Sequence, residues 1–273
     1  MGNIADTFQR LRQDGEAALM PYLTMGYPER DSALALVPQL VEAGADLVEL
    51  GVPFSDPLAD GATIQASSQR ALANGMTLRV CLDQVAELRA RNVKVPLVLM
   101  GYYNPIFQLG SRVFAQRAAG VGVDGIIVPD LPPEESGELH SALLRTNIDL
   151  VPLLAPTSDA GRTRLLADQA RGFLYLISLT GVTGARDRLP RGLEAFVSRV
   201  RETTDLPLAV GFGIGTPAQA QRVAQIADGV IVGSALIQAI GTSERPVEAA
   251  GAFLVALKAG MKPATAREQP LGS

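Results

Sequence analysis

Short apolar runs alternate with longer segments of helical periodicity along almost the whole chain. Eight runs of four to seven mostly apolar residues are bounded by Gly, Pro, Asp or Asn, as buried strands commonly are. Each run is followed by one or two segments whose apolar residues recur three and four positions apart, which predicts amphipathic helices. The predicted strands cover residues 17–23, 46–51, 95–100, 124–128, 149–154, 173–179, 206–210 and 229–232.

Repeated strand-then-helix units predict parallel strands, because each helix returns the chain to the same edge of the sheet. Eight such units predict an α/β fold, a single (β/α)₈ TIM barrel, with an extra N-terminal helix over residues 4–12. We expect the barrel domain to span residues 1–262 and residues 263–273 to form a flexible C-terminal tail. Ser158 is expected to cap the helix that follows the fifth strand. The alternative is a doubly wound open sheet, but its usual glycine-rich turn is missing after the first strand, where the sequence reads T-M-G-Y-P.

Composition narrows the possible partners and chemistries. The net charge of −4 gives no support to a nucleic-acid or membrane partner. Single copies of Cys81 and His140 argue against disulfides, metal clusters and Ser-His-Asp catalysis, so no metal is expected. His140 falls on the polar side of a predicted helix and is expected to be exposed. The N-terminal residues lack the apolar segment of a secretory signal, and a cytoplasmic location is expected.

One carboxyl group interrupts an apolar strand. Glu49 stands between Val48 and Leu50, and a buried carboxylate is costly unless it is paired or protonated. The loop that follows carries Asp56 and Asp60, so a second carboxylate can approach the first. Two carboxyl groups in unlike surroundings can divide acid and base roles. The alternative is that Glu49 forms a structural ion pair while the aspartates only make turns.

Two glycine-rich turns follow the seventh and eighth strands, where barrels often bind phosphate. They read G-F-G-I-G and G-S-A-L-I and include Gly213, Gly233 and Ser234. Glycines allow backbone amides to approach an anion, although Gly is also favoured in any tight turn.

A long loop and a set of apolar residues also fall at the carboxyl ends of the strands. Residues 179–192 are rich in Gly and charge, which favours a lid over the site, although a plain surface loop is the alternative. Any one of the apolar and aromatic side chains at these ends is better explained as filling of the core, but the set, together with the glycine-rich turns, favours a ligand with a flat apolar part and a phosphate. These side chains are Tyr22, Met100, Tyr102, Ile127, Tyr175 and Phe212.

At these positions the sequence closely resembles the tryptophan synthase α subunit. The resemblance covers nearly the whole chain, and its first motif is highly specific. The matching stretches are E-L-G-V-P-F-S-D-P-L-A-D-G (49–61), T-I-Q (63–65), G-Y-Y-N-P-I-F (101–107), D-G-I-I-V-P-D-L-P (124–132), Y-L-I-S-L-T-G-V-T-G (175–184), G-F-G-I (211–214) and G-S-A (233–235). One departure is Ala62, where the family commonly has Pro, and it is expected to have little consequence.

The resemblance implies retro-aldol cleavage of indole-3-glycerol phosphate to indole and glyceraldehyde 3-phosphate. It implies that Glu49 delivers a proton to indole C3, that Asp60 accepts a hydrogen bond from the indole N–H, and that Thr183 closes onto Asp60 while Tyr175 supports the reaction. The implied indole contacts are Tyr22, Met100, Ile127 and Phe212, and Tyr102 is also assigned to substrate binding. The implied phosphate contacts are Gly184, Gly213, Gly233 and Ser234, with Phe212 beside them.

The resemblance also implies a partner, a pyridoxal-phosphate-dependent β subunit in an α2β2 heterotetramer that receives the indole. The implied contact regions are the loop of Asp56, residues 104–107 and residues 129–131, and they include Asp56, Asn104, Pro129 and Asp130. No cofactor is expected in this chain, since the pyridoxal phosphate belongs to the β subunit.

Three other functions stay open at this point. An independent indole-3-glycerol-phosphate lyase would share the chemistry and need no β subunit. A sugar-phosphate isomerase or epimerase would usually need Lys, His or metal ligands at the strand ends. A non-catalytic activating subunit is disfavoured by the combination of Glu49, Asp60, Tyr175 and Thr183.

Overall fold

The computed structural model describes residues 3–177, 192–211 and 213–261. Their strands form one all-parallel sheet in the order β5-β4-β3-β2-β1-β9-β8-β7-β6. The strands are β1 Ala18–Thr24, β2 Val48–Gly51, β3 Leu97–Met100, β4 Gly125–Ile127, β5 Asp149–Leu150, β6 Leu153–Leu154, β7 Leu174–Ile177, β8 Leu208–Gly211 and β9 Gly229–Val232. The helices are α1 Asn3–Asp14, α2 Ala33–Glu42, α3 Ala62–Ala73, α4 Leu78–Ala90, α5 Tyr103–Leu109, α6 Ser111–Val121, α7 Gly137–Thr146, α8 Ala160–Gln169, α9 Leu193–Arg201, α10 Pro217–Ala224, α11 Ser234–Gly241 and α12 Pro246–Met261.

The sheet closes on itself at β5 and β6. These strands end the pairing order on opposite sides, yet they are two halves of one run, the predicted strand 149–154. The Val151 amide donates to Ile126 O on one side, and Pro152 O accepts from the Tyr175 amide on the other. Pro152 has no N–H to donate, and the strand is split at this point. With β5 and β6 counted as one, eight strands therefore form a closed barrel, and the predicted fold class is confirmed.

The N-terminal end of the barrel is covered by α1. Ile4, Phe8 and Leu11 are buried with the inward-facing side chains of the strands. The Phe8 and Phe173 rings lie 5.6 Å apart. A Cβ added to Gly125 would lie 2.8 Å from Ile4 Cδ1, so the absence of a side chain there makes room for the helix. Because α1 closes the N-terminal end, a substrate can enter the barrel from the end where the strands have their carboxyl termini.

Aspartates at the starts of three strands also strengthen the N-terminal end. Each accepts a hydrogen bond from a backbone amide of the neighbouring strand and pairs with a basic side chain. The amide bonds are Leu19 to Asp46 at 2.9 Å, Leu97 to Asp124 at 2.8 Å and Leu208 to Asp228 at 2.8 Å, and the basic partners are Lys258, Arg89 and Arg201. Such half-buried, charge-assisted bonds join adjacent strands where no catalysis is expected.

Two local expectations are corrected by the structure. Asp159, one residue after Ser158, caps α8 by accepting a hydrogen bond from the Arg162 amide at 2.7 Å. Ser158 Oγ instead accepts from the Ala155 amide and closes the turn before the helix. His140 is half-buried on α7, where full exposure was expected. In the ranges described, no helix has the length and apolar character needed to cross a membrane.

Candidate active site

Glu49 points into the barrel from the middle of β2. It lies beside Tyr22 of β1 and Val98 of β3 in the strand register, and only 2% of its surface is exposed. Neither Glu49 oxygen has a hydrogen-bond partner among the described residues. Burial, and secondarily the negative charge of Asp60, raises the pKa of Glu49 to about 8. The carboxyl group is therefore mostly protonated at neutral pH and can act as an acid.

Asp60 lies in the loop between β2 and α3. Its amide donates to Pro57 O at 3.0 Å, and Gln65 Nε2 donates to its carbonyl oxygen at 2.9 Å, so the backbone of the loop is held at this point. Burial raises the pKa of Asp60 to about 6, and a hydrogen-bonding interaction with Tyr102 opposes that increase. At pH 7 Asp60 is mostly ionised while Glu49 is mostly protonated, so the two carboxyl groups are divided into a base and an acid.

Two tyrosines face the same space, and each leans on a glycine of the neighbouring strand. A Cβ at Gly51 would lie 2.1 Å from Tyr22 Oη, and one at Gly211 would lie 2.4 Å from Tyr175 Oη. Burial raises the pKa of both phenols, and Glu49 contributes to both increases. The two rings are therefore neutral walls of the site whose positions depend on these glycines.

The Tyr22 hydroxyl belongs to a chain of buried hydroxyl groups that the sequence did not reveal. Ser67 Oγ donates to Ile64 O at 2.8 Å and lies 2.6 Å from Thr24 Oγ1. Since Ser67 uses its proton on the carbonyl, Thr24 donates to Ser67, and Tyr22 can donate to Thr24 across 3.4 Å. The chain joins the end of β1 to α3. No sequence pattern connects Thr24 with a serine 43 residues away.

Met100 and Ile127, two predicted substrate contacts, lie side by side at the ends of neighbouring strands. They are partners in the register of β3 and β4, with Ile127 fully buried and Met100 half-buried. Tyr102 has different surroundings. Its ring stacks on Phe54 with centroids 5.0 Å apart, and its hydroxyl accepts from the Ala59 amide at 3.0 Å. The contacts of Tyr102 are thus with the Asp60 loop, and its predicted contact with the substrate stays a prediction.

The turn after β8 meets the start of α11. Gly213 is exposed at φ +31°, and among the described residues, its chain neighbours apart, no atom lies within 4 Å of where its Cβ would be. A Cβ on Gly215 would lie 3.2 Å from Ala235 Cβ in the first turn of α11, which Gly233 and Ser234 begin. The first amides of a helix lack intrahelical partners and attract anions. This arrangement can hold a phosphate. It lies beside the Tyr22 ring, since a Cβ added to Gly233 would be 3.4 Å from Tyr22 Cδ1.

Three predicted site residues lie outside the described residues, namely Thr183, Gly184 and Phe212. The predicted lid, residues 179–192, also falls outside them except for Gly192. Their assignments stay predictions. No group of three or more His, Cys, Asp or Glu side chains that could hold a metal ion occurs within 3–177, 192–211 and 213–261.

The predicted partner residues lie on loops and helix ends at the same end of the barrel. Asp56, Asn104 and Asp130 are exposed and Pro129 is half-buried. Asp130 Oδ1 accepts from the Tyr103 amide at 2.9 Å, which joins the start of α5 to the loop after β4. Two large apolar side chains on these predicted contact segments are exposed to solvent: Leu58 is 94% exposed and Phe107 is 59% exposed.

Comparisons with known proteins identify the family of this chain. The family model of the tryptophan synthase alpha chain matches residues 8–266. A tryptophan synthase alpha chain from Chloroflexus aggregans is 54% identical over 257 residues, which are 93% of this chain and 96% of that protein. Another, from Roseiflexus castenholzii, is 56% identical over 243 residues, or 89% of this chain and 93% of the relative.

Solved structures share the whole architecture. Tryptophan synthase subunit alpha from Legionella pneumophila is 38% identical and matches with a TM-score of 0.89 over 96% of this chain and 98% of that one. A chain from a structure of Mycobacterium tuberculosis tryptophan synthase is 36% identical and matches with a TM-score of 0.90 over 96% and 99%. The resemblance inferred from the motifs is confirmed, and the chain belongs to the tryptophan synthase alpha chain family, enzymes of tryptophan synthesis.

Proposed function

We propose that this chain cleaves indole-3-glycerol phosphate to indole and glyceraldehyde 3-phosphate. The observation that carries the proposal is the pairing of Glu49, buried without a partner among the described residues, with Asp60 at the catalytic end of a barrel of this family. The pKa values of about 8 and about 6 leave one group protonated and the other ionised at neutral pH.

The proposed reaction balances without an added reactant. Glu49 gives its proton to indole C3, and the positive charge that develops on the ring is stabilised by Asp60, which accepts a hydrogen bond from the ring N–H. The resulting Glu49 carboxylate takes the proton of the substrate hydroxyl on the carbon attached to indole C3, as the bond between that carbon and C3 breaks. The electron pair of that bond restores the indole ring, and the hydroxyl carbon becomes the aldehyde of glyceraldehyde 3-phosphate.

The remaining site residues are assigned by position. Tyr22, Tyr175, Met100 and Ile127 enclose the indole, whose flat ring suits neutral aromatic and apolar walls. The phosphate is held by Gly213, Gly233 and Ser234, where the turn after β8 meets α11. Gly184, Phe212 and Thr183 are assigned to phosphate, indole and closure by the family resemblance.

We further propose that a β chain, in an α2β2 assembly in the cytoplasm, binds this chain and receives the indole. Pyridoxal phosphate is expected in the β chain and no cofactor in this one. Membership of the alpha chain family supports the partner, and the large exposed side chains Leu58 and Phe107 support the face. Asp56, Asn104, Pro129 and Asp130 lie on the same segments.

The test is indole release from indole-3-glycerol phosphate by the purified chain, with and without a β chain of the same family. Slow release alone and much faster release with the β chain is the expected result. Fast release by the isolated chain would instead support an independent lyase. If the folded chain released no indole in either condition, the catalytic proposal would be wrong.

Leu58→Asp is expected to weaken activation by the β chain at least ten-fold. A charge placed in the centre of an apolar contact loses burial and carries a desolvation cost. The measurement is the β-chain concentration that gives half-maximal indole release. Val255→Asp is the matched control, since Val255 is 54% exposed on α12, far along the chain from these loops. Equal effects of the two variants would place the β chain elsewhere.

A further inference from the structure

We propose that Tyr102 is a positioning residue, which acts on the reaction by holding Asp60 and its loop in place. This inference rests on the proposed function, because it assumes that Asp60 stabilises charge on the substrate. It differs from the predicted role, in which Tyr102 binds the substrate.

The contacts of Tyr102 join a strand end to the Asp60 loop. Tyr102 follows β3 after one residue and begins α5 as its N-terminal cap residue, so its backbone is fixed by two regular elements. Its side chain is buried, and its ring stacks on Phe54 at an interplanar angle of 21°. Tyr102 thereby contacts the loop that carries Asp60 at two places: at Phe54, near its start, and at Ala59, near its end.

The hydroxyl group of Tyr102 has a defined direction. The Ala59 amide donates to Tyr102 Oη at 3.0 Å and occupies one acceptor position of the oxygen. The single hydroxyl proton is therefore free to point toward the Asp60 carboxyl group, one residue after Ala59, and the Tyr102 hydroxyl lowers the pKa of that group. A donor to a carboxylate favours the ionised form.

Within the described residues, Tyr102 is the one side chain whose interaction lowers the pKa of Asp60. Burial acts in the opposite direction and would otherwise favour the neutral acid. The Gln65 side chain also reaches this residue, but it binds the backbone oxygen and so fixes the loop without acting on the carboxylate. Tyr102 therefore both holds the Asp60 loop and lowers the pKa of Asp60.

The test is Tyr102→Phe, which keeps the ring and its stacking on Phe54 but removes the hydroxyl. We expect kcat to fall about ten-fold, which corresponds to one hydrogen bond to a charged group, with little change in KM. Loss of the donor raises the pKa of Asp60, so the acid limb of the kcat/KM profile should move to higher pH. Tyr103→Phe is the matched control, since it removes the hydroxyl of the adjacent tyrosine, whose ring packs on Phe107.

Two further measurements keep the proposal falsifiable. In an Asp60→Asn background, Tyr102→Phe should cause no further loss of kcat, because its effect passes through Asp60. The titration of Asp60, followed by carboxyl ¹³C NMR without substrate, should move upward in the Tyr102→Phe protein, whether or not the wild-type chain proves to be a lyase. A raised KM with an unchanged acid limb and unchanged Asp60 titration would overturn the proposal in favour of a substrate contact.

Discussion

Glu49→Gln is expected to lower the rate of indole release by about three orders of magnitude and, at neutral pH, to stabilise the folded chain. The amide keeps the shape of the side chain but has no acidic proton to give to indole C3, and general acid catalysis commonly contributes 10²–10⁴-fold. The measurement is single-turnover indole release in the presence of the β chain. Retained binding of the β chain would show that the loss is chemical.

The gain in stability follows from the raised pKa of Glu49. Its pKa is about 8 in the folded chain and 4.5 as the reference for the unfolded chain, so folding is penalised once the pH exceeds 4.5 and the full penalty is reached above 8. At pH 7 the penalty is about 3 kcal/mol, and Gln does not carry it. The melting temperature of Glu49→Gln should therefore match that of wild type near pH 4.5 and exceed it by about 5 °C at pH 7.

Glu244→Gln is the matched control, because Glu244 is exposed and its replacement should leave the melting temperature nearly unchanged at every pH. The same measurement decides between the two interpretations of Glu49 that the sequence left open. A glutamate held in a structural ion pair would lose stability on conversion to Gln, with the largest loss at neutral pH. Destabilisation by Glu49→Gln would thus contradict a buried, unpaired acid.

The barrel and the position of Glu49 could both be predicted from the sequence. Strand and helix periodicity was sufficient for the barrel, because eight buried strands and their crossover helices leave a strong alternating pattern. The position of a carboxyl group between two apolar strand residues was sufficient to single out Glu49 as a candidate acid. That neither of its oxygens has a partner among the described residues depends on side chains from other strands, and no spacing in the sequence reports it.

Where prediction failed, the deciding contacts were tertiary or depended on a choice between neighbours. Ser158 and Asp159 can both cap a helix, and only the backbone angles at residue 159 select the second. The strand over 149–154 was predicted as one run, although Pro152 lacks the amide that would continue the ladder. The bond from the Ala59 amide to the Tyr102 hydroxyl is also tertiary, since the two residues are 43 positions apart, and no pattern in the sequence predicts it.

Asp60→Asn is expected to affect both carboxyl groups of the site. Removing the negative charge should lower the rate of indole release by about 10²–10³-fold, as loss of one preorganised charge-stabilising group commonly does. It should also lower the pKa of Glu49 below its value of about 8, because repulsion by Asp60 is the second cause of the increase. Burial is the larger cause and is unchanged, so the pKa should stay above the reference value of 4.5.

The pKa of Glu49 can be measured by carboxyl ¹³C NMR in the isolated chain, independently of activity. Asp56→Asn is the matched control, since Asp56 lies four residues earlier in the same loop but is exposed and is not a cause of the Glu49 shift. If Asp60→Asn lowered the rate but left the Glu49 titration in place, the two carboxyl groups would not be coupled. The opposite results for Asp60→Asn and Asp56→Asn would mean that the loop presents Asp56 to the site. Movement with Asp60→Asn alone would show that the acid and the base tune one another, so that the loop that carries Asp60 also sets the proton affinity of Glu49.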